Sequence, residues 1–140
     1  QQPKIEEKEV VGGTETILII EDEDMVRDVA RHILENEGYR VLATEDGQSG
    51  IETYLKHRKN IDLILLDLTM PRMSGQMVME RLLEEDKDVK VVITTGHSDE
   101  DLQDGVLRHA QAFISKPFKP SEYLKIIRSI IDGTNNQQQA

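Results

Sequence analysis

Four short apolar runs in this sequence end on residues that can do chemistry together. Thr16 to Ile20 (TILII) leads into Glu21, Asp22, Glu23 and Asp24, and Ile61 to Leu66 (IDLILL) leads into Asp67. Val89 to Thr94 (VKVVIT) leads into Thr95 and Gly96, and Ala112 to Ile114 (AFI) into Ser115, Lys116 and Pro117. Carboxylates forced together repel, and they either share protons or capture a cation. Glu21, Asp22 and Asp67 are hard oxygen donors, and a few of these with water make a typical magnesium site. Lys116 supplies a positive charge that can pair with Asp67 or with an anion placed on it. Thr95 offers a hydrogen-bond donor, and Gly96 leaves space beside it. Gathered on one rim, the set describes a carboxylate able to attack phosphorus, with charge stabilisation around it.

A parallel sheet would gather them. The apolar runs are β-branched and nearly continuous, as strands buried on both faces should be. Tyr39 to Ala43 (YRVLA) makes a fifth such run. Between them the apolar spacing turns helical. Val26, Val29, Ala30 and Ile33 mark a first helix that stops near Gly38. Asp46 offers an N-cap to a second helix with Ile51, Tyr54 and Leu55 inward. Gln76 to Glu85 reads as a third, through Val78, Met79, Leu82 and Leu83. Ser98 and Asp101 form a capping box for a fourth, sparse helix over Asp99 to Arg108, interrupted by Gly105. Ser121 caps a fifth with Leu124, Ile127, Ile130 and Ile131. Five strand–helix units in strict alternation predict an α/β fold, a five-stranded parallel sheet doubly wound as (βα)5. Ligands then collect at the carboxyl ends of the strands, where the acids, Thr95 and Lys116 stand.

Composition narrows the classes of function. The chain has 140 residues, 37% hydrophobic and 31% charged, which suits one domain of ordinary soluble character. Residues 1–13 read as a flexible lead-in or linker, 14–132 as the domain, and 133–140 as a polar disordered tail. With no cysteine, disulfides, iron–sulfur clusters and thiol catalysis are excluded. No apolar run approaches a membrane span, and a cytoplasmic setting is expected. Seventeen basic against twenty-seven acidic residues give a net charge of −10, which argues against direct nucleic-acid binding.

The strings ILIIEDED, LILLDLTMPRMSG, VVITTGHSD and AFISKPFKPSEYL, in that order and spacing, resemble the receiver domains of two-component response regulators. The resemblance spans residues 16–132 and implies the flavodoxin-like receiver fold. It implies Asp67 as the phosphoacceptor, with Mg2+ held by Glu21, Asp22, Asp67 and the backbone carbonyl of Thr69. Glu21 stands where two Asp are common in the family. Thr95 matches the switch hydroxyl, Lys116 the phosphate-binding lysine, and Pro117 the residue often joined to it by a cis peptide. Pro71 and Gly75 match the loop that shapes the site. Phe113 matches the switch aromatic, which here would act as apolar bulk.

The implied reaction is transfer from a phosphohistidine of a histidine kinase or histidine phosphotransfer domain, in a phosphorelay. The domain would catalyse its own phosphorylation and dephosphorylation while serving as a conformational switch. Thr69 and His97 occupy positions that tune the phosphoryl lifetime, and a slow to moderate loss is expected. The face of the fourth helix, fifth strand and fifth helix is the expected output surface, including self-association. The lead-in resembles the junction before receivers at the carboxyl end of hybrid sensor kinases, and a free-standing regulator would look almost the same.

Other readings fare less well. Dehalogenase-type phosphatases need a second Asp two residues after the nucleophile, where this chain has Thr69. A receiver-like binding module that is never phosphorylated remains the alternative, against which the intact acid–threonine–lysine set argues. His32, His57 and His109 have no partners at metal-ligand spacing, and Met70, Met73, Met77 and Met79 read as adaptable packing.

Overall fold

The structure is a computed structural model that describes residues 12–68, 70, 73–96 and 105–133. Five strands, β1 (Thr16–Ile20), β2 (Arg40–Thr44), β3 (Leu63–Asp67), β4 (Val91–Thr95) and β5 (Ala112–Ser115), form one parallel sheet in the order β2-β1-β3-β4-β5. The helices are α1 (Asp24–Asn36), α2 (Gly47–His57), α3 (Gly75–Glu85) and α4 (Pro120–Asp132), with a short 3-10 segment at Gly105–His109. The predicted capping box at Ser98 and Asp101, and the predicted helix as far as residue 104, lie outside the described residues. Thr69, Pro71 and His97 lie outside them too. Among the described residues no helix is long and apolar enough to cross a membrane.

Every residue of β3 and β4 is buried, because parallel strands with helices on both faces meet no solvent. Side chains alternate between the two faces. Leu18, Ile20, Ile64 and Leu66 pack with α2, α3 and the 3-10 segment. Ile17, Ile19, Leu63 and Leu65 pack with α1 and α4.

Local chemistry explains the helix ends. Asp46 accepts a hydrogen bond from the Ser49 N–H at 2.8 Å and caps α2 as predicted. Ser74 does the same for α3 through the Met77 N–H, at 3.2 Å. Gly38, past the end of α1, has φ +98°, and a Cβ there would lie 2.5 Å from the Gly13 carbonyl oxygen, so the turn requires glycine.

Several sequence expectations are corrected. Ser121 does not cap α4, which begins one residue earlier at Pro120 with Lys119 before it, since proline is preorganised for a first helical position. Val29 is 52% exposed rather than inward, because α1 turns Ala30 and the larger Leu34 onto the sheet. Leu55 likewise sits on the rim of its helix, exposed.

Close packing beneath the site yields a test. A Cβ on Gly50 in α2 would lie 2.5 and 2.7 Å from Cδ1 and Cγ1 of the fully buried Ile20. Alanine gains about 1 kcal/mol of helix propensity, but overpacking a core costs about 1–3 kcal/mol. We expect Gly50→Ala to lower the urea midpoint, and a variant as stable as its parent would contradict this packing.

Candidate phosphoryl-acceptor site

The strand order reverses between β1 and β3, and a crevice opens beyond the carboxyl ends at such a point. The acids stand there. Glu21 follows β1, and its N–H is donated to the Thr44 carbonyl at 3.1 Å, extending the ladder by one step. Asp67 is the last residue of β3, paired in register with Thr94. Glu21 and Asp67 are 4% and 2% exposed, whereas Asp22 is half-buried. One carboxylate oxygen from each of the three lies within 4.8 Å of the others.

Lys116, just past β5, reaches back across the rim. Its Nζ donates to Glu21 Oε1 at 3.1 Å and to Asp67 Oδ1 at 3.3 Å. Its backbone N–H is donated to the Thr95 carbonyl at 2.8 Å. The Lys116–Pro117 peptide is cis. Thr95 ends β4 and is 2% exposed. Phe113 pairs in register with Ile93, two residues before Thr95. Alternation therefore puts Thr95 and Phe113 on the same face, with Phe113 packed against the α2–α3 core. Thr94 falls on the opposite face.

Crowding shapes the electrostatics. Burial, and then the charge of Asp67, push the Glu21 carboxyl up to about 7, although Lys116 pulls the other way. Burial and the neighbouring Asp67 also raise Asp22. Burial alone would lower Lys116, but hydrogen bonds and charges from Glu21 and Asp67 outweigh it and hold the ammonium above its ordinary range. Three carboxylates facing one ammonium leave an excess of negative charge. A hard divalent cation with oxygen ligands fits this donor set.

Of the described residues singled out for the site, Glu21, Asp22, Asp67 and Lys116 are brought together, Thr95 joins them through its carbonyl, and Phe113 lies against the α2–α3 core. Sequence reasoning missed two others. Arg27 in α1 donates from Nη1 to the Glu21 carbonyl, six residues earlier, at 2.9 Å and pins the acidic loop, a bond from side chain to loop backbone that leaves no periodic signal. Tyr123 in α4 is 1% exposed beneath Lys116. It stands four residues before Ile127, so helical spacing could have found it.

Comparison with known proteins gives the family. A sequence model of the response regulator receiver domain matches residues 17–128. The chain is 35% identical over 122 residues to the chemotaxis protein CheY of Treponema pallidum, covering 86% of this chain and 85% of that protein. It is 24% identical over 133 residues to the sensor kinase CckA of Brucella abortus, covering 94% of this chain but 14% of that one. Other curated relatives are longer regulators of which it spans about half or less. Among solved structures, the CheX–CheY–BeF3–Mg complex from Borrelia burgdorferi superposes with a TM-score of 0.78 at 30% identity, covering 83% of this chain and 88% of that chain. The matched span runs from the second residue of β1 through β5, and the chain belongs to the response regulator receiver domain family.

Proposed function

We propose that Asp67 accepts a phosphoryl group from a phosphohistidine and that its occupancy shifts the domain between two conformations. The observation that carries this reading is the convergence of Glu21, Asp22 and Asp67 within 4.8 Å, with Lys116 bonded to two of them. Glu21, Asp22, Asp67 and the Thr69 carbonyl would hold Mg2+, which when bound offsets charge on the phosphoryl oxygens. An Asp67 carboxylate oxygen attacks phosphorus, and the bond from phosphorus to the imidazole nitrogen breaks. The electron pair stays on the imidazole, which takes up a proton. Lys116 and the Thr95 hydroxyl then engage the phosphoryl oxygens. Attack of water at phosphorus later breaks the bond to Asp67 and returns the carboxylate and orthophosphate.

Residues 14–132 form the unit that does this. The donor is the phosphohistidine of a histidine kinase or of a phosphotransfer domain. An apolar groove of about 470 Å3, lined by Met25, Val26, Val29, Lys116, Pro117 and Phe118, borders the site and gives that partner a place to rest. Once the site is occupied, Thr95 and Lys116 close on the phosphoryl group and Phe113 fills the space vacated. Phosphorylation adds nearly two charges and biases an equilibrium already present. The output face is that of the 3-10 segment, β5 and α4.

The test is mass spectrometry after incubation with Mg2+ and acetyl phosphate. One phosphoryl group labile to hydroxylamine should appear in the parent and be missing in Asp67→Asn. Thr95→Ala should still take up the group, with a weaker change in amide chemical shifts. Stoichiometric uptake by Asp67→Asn would overturn the proposal. No uptake by the parent would favour a module that binds without being phosphorylated.

A further inference from the structure

Lys116 must hold its ammonium between Glu21 and Asp67 from a short connection into α4. The bond from its N–H to Thr95 is the last step of the ladder, and Pro117 has no N–H to continue it. The next fixed point is Phe118. Its ring lies flat on that of Tyr123, with centroids 4.2 Å apart and planes within 6°. Tyr123 itself is anchored in the first turn of α4, where its N–H is donated to the Lys119 carbonyl at 3.0 Å. Lys116, Phe118 and Tyr123 line one cavity with Glu21 and Thr94, of about 10 Å3. That is the lower limit for a single water, so the lysine has little room to settle on that side. An aromatic ring with two rotatable bonds fixes a neighbour at small entropic cost.

We propose that Tyr123 is a positioning residue for Lys116, acting through the ring stack on Phe118. The stack holds the loop against α4 and sets the lysine between the two carboxylates. It also gives α4 a mechanical link to the site on the face opposite Phe113, so movement of Lys116 toward a phosphoryl group is felt at Tyr123. The kinetic consequence rests on the reading of Asp67 as acceptor, whereas the placement of the ammonium does not.

Two measurements separate these. In the metal-free protein, the Lys116 ammonium should give a hydrogen-bonded 1H–15N signal that Tyr123→Phe retains and Tyr123→Leu loses or shifts. With Mg2+ and acetyl phosphate, Tyr123→Leu should slow phosphorylation about tenfold, as misplacement of a charged group does, while Tyr123→Phe stays within about twofold of the parent. In a Lys116→Met background, Tyr123→Leu should add no further slowing. Equal slowing in both backgrounds, or an ammonium signal unchanged in Tyr123→Leu, would overturn the proposal. If Tyr123→Leu does not fold, Phe118→Leu removes the other half of the stack from a partly exposed position and must give the same pattern. A parent that takes up no phosphoryl group would refute the acceptor role, while the ammonium signal would still decide the role of Tyr123.

Discussion

Asp67→Asn will make the metal-free protein harder to unfold at a pH of about 8, while ending phosphoryl uptake. Asparagine keeps the shape of the side chain, so packing changes little. What changes is charge. Asp67 faces Glu21 and Asp22 within 4.8 Å and Lys116 at 3.3 Å. At an effective dielectric of about 20, each repulsion is roughly 3 kcal/mol and the attraction about 5 kcal/mol. Removing the charge relieves both repulsions and the cost of desolvating a buried carboxylate, at the loss of the ion pair with Lys116. Lys116 also keeps Glu21 as a partner at 3.1 Å. Urea denaturation in a chelator measures the effect. A midpoint lowered by the substitution would show that the cluster is balanced without a cation.

The second large effect is on pH. In the metal-free protein Glu21 is raised from 4.5 to about 7, by burial first and by the charge of Asp67 second. Between those values the folded protein holds a proton that the unfolded chain has released. Stability therefore falls as pH rises through this window and levels off above about 7. A shift of this size corresponds to about 3 kcal/mol. The raised carboxyl of Asp22 acts in the same direction. A divalent cation reverses the trend, because it binds the ionised carboxylates and displaces the proton. Stabilisation by Mg2+ should thus be larger at a pH of about 8.5 than at about 5.5. Glu21→Gln should flatten the metal-free profile over this window. If the unfolding midpoint of the metal-free parent instead rose between these two pH values, and did so through Glu21, the assignment of the buried proton would be wrong.

Much of this protein can be read along the chain. The alternation of apolar runs with helical periods encodes a parallel α/β sheet, because a strand buried on both faces has no polar positions to spare. Asp46 as a cap and Gly38 as a stop are local choices of backbone and side chain, so they too are legible in neighbouring residues. The chemical set of Glu21, Asp22, Asp67, Thr95 and Lys116 follows once every strand runs the same way, since all their ends then share one rim. Helix faces were less legible. Val29 fits the apolar spacing of α1 yet lies exposed, because the packing of Leu34 against the sheet decides the rotation of the helix.

The convergence on Asp67 was therefore foreseeable, but its balance of charges was not. Spacing could not say that Lys116 would bond Glu21 more closely than Asp67, nor that Glu21 would be buried enough to hold a proton near neutral pH. It could not say that Arg27 would pin the acidic loop, or that Tyr123 would reach the lysine through Phe118. Local propensity and periodicity act between residues close in the chain. Desolvation and ion pairing are set instead by groups brought together from β1, β3, β5 and α4, and only the packed sheet decides their distances.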